Sequence, residues 1–286
     1  MIYTVTLNPA LDRTMWVERI RYDQSNRIVR EDRFAGGKGI DVSRGLTNLG
    51  VPNVALGFLG GFTGEEMRAR LQNENVTCDF VRIHDETRTN IIIHELSSGR
   101  QLSFNAEGPE VKPHEIKQLV EKLDALAEAE LVVISGSLPP GLHHDIHRKL
   151  IESVRQHGAK VLLDLTGPSL RVGINSRADY IRTDASELAV QTGGELITTA
   201  DVLAAARHLQ KETGGTVLVS TAARETMLVD DEHELIATPP VVKVESTTGA
   251  ADAAIAAFLY GLQRCEPVET CLRYAVAAET AKTMTP

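Results

Sequence analysis

An α/β fold is predicted by this sequence: a three-layer α/β/α sandwich with a mostly parallel central sheet and a small β-sheet lid. Three observations carry that expectation. Apolar strand-like runs alternate with amphipathic helical stretches along most of the 286 residues, a pattern that implies right-handed crossovers and a sheet covered on both faces. Turns that open ligand-sized gaps follow strand candidates directly, at Asp12, at 135–141 and at 249–252, and ligands of open parallel sheets sit outside the carboxyl ends of the strands. Two segments, 14–34 and 88–105, break the alternation, which suits an accessory sheet inserted into one domain spanning 1–286.

The elements follow in order. A strand at 2–7 is succeeded by a polar, strand-like stretch lacking helical period that ends at Phe34. Gly36-Gly37 opens a helix at 39–49, and a strand at 54–58 feeds a helix at 64–75. The stretches 89–96 and 101–104 flank a turn at Ser97-Ser98-Gly99-Arg100, which is a hairpin signature. Ile91, Ile92 and Ile93 in succession place apolar groups on both faces of a small sheet, and such a patch calls for a partner. A helix at 113–129, a strand at 131–134 and a helix at 144–157 come next. Strands at 161–165 and 180–182 precede helices at 186–192 and 200–213. Strands at 217–220 and 227–229 and helices at 250–263 and 267–284 complete the series.

Composition excludes several function classes. A net charge of -9 disfavours nucleic-acid or anionic-membrane partners, so an anionic substrate must be met by a local cationic cluster. Cys78, Cys265 and Cys271 lack metal-ligand spacing, and their odd number fits reduced thiols in a cytoplasmic protein. No basic-then-apolar leader and no apolar run of bilayer length is present, so neither a signal peptide nor a membrane span is expected.

The most informative stretch runs from Val244 to Asp252 into the apolar helix that follows. Small residues at Gly249, Ala250 and Ala251 let an anion approach the unpaired amides of a helix start. A carboxylate there, Asp252, repels an anion but suits a base that takes a proton from an attacking hydroxyl. Thr6-Leu7-Asn8-Pro9-Ala10-Leu11-Asp12, Gly36-Gly37-Lys38-Gly39-Ile40-Asp41-Val42 and Ser135-Gly136-Ser137-Leu138-Pro139-Pro140-Gly141 appear in that order upstream. Together these segments resemble the ribokinase-like sugar kinases of the phosphofructokinase-B family, in particular the 1-phosphofructokinase and tagatose-6-phosphate kinase branch. The resemblance spans nearly the whole chain.

That resemblance implies roles. Asp12 is matched to a carboxylate gripping sugar hydroxyls, and Gly36, Gly37 and Gly39 to the backbone that approaches the sugar. Lys38 and Arg88 are expected to hold the phosphate already on the substrate, Arg by its bidentate fork and Lys as a point charge. Ser135, Gly136 and Ser137 line the cleft. Gly249, Ala250 and Ala251 form the anion hole, and Asp252 is the base. No Gly-Lys-Ser/Thr phosphate loop is present, so nucleotide binding is assigned by resemblance alone. It falls to 182–187, 220–225 and 274–280, including Arg182, Asp184, Ser220, Ala222 and Glu225, with Glu187 acting on magnesium through water. ATP and Mg²⁺ are the implied cofactors, and a homodimer clasped through the lid is the implied assembly.

The departures are specific. Ala251 stands where the family has a second glycine, and Asp41 and Asp184 replace asparagines. Ala222 and Glu225 occupy glycine positions after the 217–220 strand, and Glu279 fills a position that is commonly small. Two unit charges 4 Å apart at an effective dielectric of about 20 repel by about 4 kcal/mol, so extra carboxylates near polyphosphate matter. Two functional classes therefore stay open at this level. One is an ATP-dependent kinase converting fructose 1-phosphate or tagatose 6-phosphate to a bisphosphate. The other is a catalytically weakened relative that binds or senses sugar phosphate. A kinase for a neutral sugar or nucleoside would leave Lys38 and Arg88 without a partner.

Overall fold

The computed structural model describes residues 1–222 and 225–285. The chain begins with β1 (Ile2–Thr6), β2 (Ala10–Val17), β3 (Ile28–Gly36), α1 (Lys38–Asn48), β4 (Asn53–Gly60) and α2 (Gly61–Asn73). It continues through β5 (Val81–Ile83), β6 (Arg88–Glu95), β7 (Arg100–Phe104), α3 (Pro113–Asp124), β8 (Leu131–Ser135) and α4 (Ile146–Gln156). Then come β9 (Lys160–Asp164), α5 (Gly167–Asn175), β10 (Tyr180–Asp184), α6 (Ala185–Thr192) and α7 (Thr199–Thr213). The last elements are β11 (Thr216–Ser220), β12 (Thr226–Val229), β13 (Glu234–Ala237), α8 (Ala250–Gln263) and α9 (Val268–Thr283).

Among the described residues the main sheet has nine strands in the order β13-β12-β11-β10-β9-β8-β1-β4-β5. All neighbours from β11 to β5 pair in parallel, and β12 and β13 add an antiparallel edge. The winding direction reverses between β1 and β8, which opens a crevice at their carboxyl ends. One face is covered by α3 to α7, whose Leu119, Leu150, Leu170, Leu188 and Leu209 join Val5, Val132, Ile134 and Val161 in the largest core cluster. The other face carries α1 and α8, with Val42, Leu46, Ile255 and Leu259 against Ile2, Leu131, Val133 and Leu162. The fold is therefore three layers, as the alternation implied.

The second sheet has the order β3-β2-β6-β7. Its central pair, β2 and β6, is parallel, while β2–β3 and β6–β7 are antiparallel. The lid is thus a four-stranded mixed sheet, not an isolated hairpin. Leu11 and Ala35 root it in a cluster with Ile40, Leu59, Met67 and Leu71.

Three elements escape the sequence reading for physical reasons. The stretch that forms α5 begins Gly167-Pro168 and looks like a turn, yet proline is tolerated in a first helical turn. Gly173 then lets this helix rest on β9, since a Cβ there would stand 2.2 Å from Leu163 Cδ1. β5 has three residues and β13 four, too few for an alternation to register. The helix expected at 113–129 stops at Asp124.

Candidate active site

Period-two alternation decides what the sheet presents to α1 and α8. On that face the strands are mainly apolar, apart from Thr4, which is hydrogen-bonded to Ser43 of α1 at 2.8 Å, and they turn polar at their carboxyl ends. Thr6 is the register partner of Ser135, and Ser135 that of Asp164. Arg182 and Ser220 extend the row: one Arg182 amino group donates to Ser220 Oγ at 2.8 Å, and the other stands 3.4 Å from Asp164 Oδ1. Above the row, Lys38 at the start of α1 reaches down to place Nζ 2.9 Å from Asp164 Oδ2. Asp164, 2% exposed, is the shared counter-ion of two cations.

Asp252 hangs over this cluster from the first turn of α8. The helix starts at Gly249, whose φ of 72° favours glycine. Ala251 lies inside the helix; among the described non-glycine residues only Asp23, Asn75, Arg177 and Cys265 have positive φ. The methyl therefore imposes no backbone strain. Burial pushes the Asp252 carboxyl up to about 8, the Asp41 and Asp164 carboxylates adding to the effect and Lys38 and Arg182 opposing it. Asp252 Oδ1, Thr6 Oγ1 and Ser135 Oγ are buried without a hydrogen-bond partner in the protein, a polarity that suits contact with a ligand or water.

The sugar-side candidates gather at the root of the lid. Asp12 Oδ1 accepts from Asn90 Nδ2 at 2.8 Å. Burial raises its proton affinity, and the Asn90 bond, Arg88 and Arg44 lower it. Gly36 makes room, because a Cβ there would sit 2.2 Å from Asp12 Oδ2. At Gly37, φ is 136°, and a Cβ on Gly39 would approach Thr6 Oγ1 to 2.5 Å. Arg88 donates to the carbonyls of Ala106 and Asn8, both at 2.8 Å, and its buried Nε has no protein partner. Ser137 Oγ accepts from Asn8 Nδ2 at 3.3 Å. Asp41 pairs with Arg44.

The nucleotide-side candidates differ in exposure. Asp184 caps α6, accepting from the Glu187 amide at 2.9 Å and from the Ser186 hydroxyl. Burial opposes its ionisation, but those two donors and Arg182 hold its carboxyl below the usual range. Glu187 Oε1 accepts from the Gly167 amide at 2.8 Å and from Gln191 Nε2 at 2.7 Å. Ala222 is exposed, and Glu225 Oε1 accepts from Thr238 at 3.4 Å. Ala223 and Arg224 of the 220–225 turn, and Pro286, lie outside the described residues. Glu279 accepts from Thr226 Oγ1 at 3.3 Å and lines a small interior void with Arg182 and Ser220.

Sequence reading missed Asp164, Arg44 and Asn90. Asp164 sits inside an apolar run and looks like an interruption of core. Its signal is positional: it shares the parity of Thr6 and Ser135, the last polar residues of neighbouring strands.

The arrangement joins the buried Asp252 carboxylate, two cations on a shared carboxylate, a helix amino terminus and the Asp12 carboxylate around one crevice. Comparisons with known proteins identify the family. The profile described as pfkB family carbohydrate kinase matches residues 5–283. The chain is 33% identical over 281 residues to 1-phosphofructokinase of Bacillus subtilis, covering 98% of this chain and 92% of that protein. It is 31% identical to D-tagatose-1-phosphate kinase of Bacillus licheniformis, covering 97% and 91% of the two chains. Phosphofructokinase-2 from Escherichia coli, solved in complex with fructose-6-phosphate, superposes with a TM-score of 0.92 at 31% identity, over 99% of this chain and 93% of that one. The chain belongs to the pfkB family of carbohydrate kinases.

Proposed function

We propose that this enzyme transfers the terminal phosphoryl group of ATP to a ketohexose monophosphate, yielding a bisphosphate. Fructose 1-phosphate is the leading substrate and tagatose 6-phosphate the next. The observation that carries this reading is the buried Asp252 at the amino terminus of α8, opposite the Lys38–Asp164–Arg182 cluster.

In this mechanism Asp12 and Asn90 accept and orient sugar hydroxyls, and Gly36, Gly37 and Gly39 bring backbone close to the ring. Arg88 brings its positive charge to the phosphate on the substrate, and Ser137 lines the same cleft. Asp252 takes the proton of the attacking hydroxyl as its oxygen bonds to phosphorus. The bond to the bridging oxygen breaks, and ADP departs with the electron pair. Lys38 and the helix-start amides at Gly249 and Ala251 stabilise charge on the moving group, whereas the Ala250 amide, expected to be unpaired, donates to the Thr247 carbonyl at 3.3 Å. Arg182, Asp184, Ser220, Ala222 and Glu225 face the nucleotide. Magnesium neutralises the polyphosphate when bound. Glu187 fits an ion held through water, because its Oε1 takes two protein donors and Oε2 is left over. The described residues offer no cluster of three metal-binding side chains, which suits an ion carried largely by substrate phosphates. We infer further that two copies clasp through their lids, and that the three free thiols fit a cytoplasmic setting.

The test is ADP release with ATP and Mg²⁺ across fructose 1-phosphate, fructose 6-phosphate, tagatose 1-phosphate and tagatose 6-phosphate. Turnover at about 1–100 per second on one of them is expected. No release on any would replace the kinase reading with sugar-phosphate binding alone.

A further inference from the structure

Asp41 lies in the sugar cradle, and its charge is one that a neutral amide would not bring. It sits in the first turn of α1, where its carboxylate accepts from Arg44. Arg44 is held in turn: Nε donates to Glu74 Oε2 at 2.7 Å, and an amino group donates to the carbonyl of Ala35 at 2.8 Å. A guanidinium committed to three acceptors fixes the carboxylate it binds.

The two helices that carry Asp41 and Asp252 lie side by side on one face of the sheet. They touch at Gly45, where a Cβ would stand 2.6 Å from the Cβ of Ala256. One helical turn toward the amino terminus from that contact, each helix carries an aspartate, Asp41 on α1 and Asp252 on α8. The spacing of four residues is the same on both sides of the seam.

We propose that Asp41 is a positioning residue for phosphoryl transfer, whose fixed negative charge across the α1–α8 seam sets the pH range in which Asp252 works. The inference rests on the reading of Asp252 as the base. After burial, Asp41 is the largest contributor to the upward displacement of Asp252 to about 8, followed by Asp164. Asp41 itself is pushed up to about 6 by burial, with Arg44 opposing and Asp12 adding. Above pH 6 it is therefore charged and acts on Asp252. The groups facing this pair are Arg44 on α1, Asp12 on β2, Glu74 beyond Arg44, and Asp164, Lys38 and Arg182 at the strand ends. A base raised to about 8 is mostly protonated at pH 7, so activity should climb as pH rises through that value.

The test is the pH profile of kcat/KM from pH 5.5 to 9.5 for wild type, Asp41→Asn and Asp252→Asn. Fructose 1-phosphate, or whichever of the four sugar phosphates turns over best, is the substrate. Asp41→Asn removes one like charge with little change of shape, so its acidic limb should move down by about one pH unit. Taken relative to its own alkaline plateau, its rate near pH 6.5 should then rise by up to about tenfold, whatever the height of that plateau. Asp41→Ser, which also lacks the charge, should move the limb in the same direction if the amide variant proves unstable. An unmoved limb, with or without a lower plateau, overturns the proposal and leaves Asp41 an ordinary sugar contact. If Asp252→Asn turns over like wild type, the base assignment itself falls, a result distinguishable from the first.

Discussion

Lys38 Nζ stands 2.9 Å from Asp164 Oδ2, beneath Asp252 and away from the carbonyls of Asn8 and Ala106 that hold Arg88. The two cations expected to share one phosphate thus anchor at different points. We assign Lys38 to the moving phosphoryl group and Arg88 to the phosphate already on the sugar. Lys38→Met should lower kcat by about 10²-fold or more, the scale of losing one donor to transition-state charge. The Lys38 side chain is 39% exposed, and Asp164 keeps Arg182, so the melting temperature should shift by only a few degrees. A normal kcat with weakened sugar-phosphate binding would return Lys38 to the lid end.

Arg88→Ala should act on binding instead. A hydrogen bond to a charged group contributes about 1.5–3 kcal/mol, so affinity for the sugar phosphate should fall roughly ten- to a hundredfold. The same arginine ties the lid root to the loop at Asn8, and Arg88→Lys serves as the control that keeps the charge. Isothermal titration without nucleotide measures the effect. Unchanged affinity in both variants would place the substrate phosphate elsewhere.

The layers, the strand ends and the glycine pair were legible because periodicity and turn chemistry are local properties. What stayed hidden depends on which strands become neighbours. Asp164 looks like a polar break in an apolar run until β8 and β9 pair and set it beside Ser135. Arg44 looks like a solvated helix residue until β3 brings the Ala35 carbonyl and α2 brings Glu74 to it. The substitution at Asp184 looked disruptive, yet its carboxylate is turned into its own helix as a cap.

That geometry changes what reversion should do. Ala251 already adopts a helical conformation, so Ala251→Gly relieves no strain and should cost about 0.5–1 kcal/mol of stability. Asp184→Asn keeps a good capping residue and should leave stability within about 0.5 kcal/mol, lowering the KM for ATP modestly by removing a charge. Thermal melts and ATP titrations of the two single variants check both statements. A large gain of kcat from Ala251→Gly would mean the methyl obstructs the phosphate path after all.

Assembly is read from the lid. Ile91 and Ile93 share a face with Phe104 and Leu102 across β6 and β7, whereas Ile92 points the other way beside Ser103. All three isoleucines are only half buried, and Phe104 and Leu102 are 57% and 40% exposed. Such a face is expected to pair with its copy. Sedimentation at micromolar concentration should show a dimer, and Phe104→Asp with Leu102→Asp should shift it toward monomer. A wild-type monomer across that range would mean that the lid works alone.

The last expectation concerns acid stability. His147 on α4 is 1% exposed; its Nδ1 bonds the carbonyl of His144 at 3.1 Å, and Nε2 has no partner in the protein. Burial pushes the imidazole down to about 4, with the His144 carbonyl opposing that shift and the His144 ring adding to it. An unfolded histidine titrates near 6.5, so between these values the unfolded chain binds a proton that the native chain refuses. Stability therefore falls as pH drops through this window and is unaffected by the group above it. Across the full interval the loss approaches about 3 kcal/mol. His147→Leu removes the titration while keeping an apolar side chain, so its unfolding free energy should lose less than wild type's between pH 6.5 and 4. Urea melts at half-unit pH steps measure the difference. Parallel curves for the two proteins would mean that the buried ring is protonated in the native state, or that another group governs the acid limb.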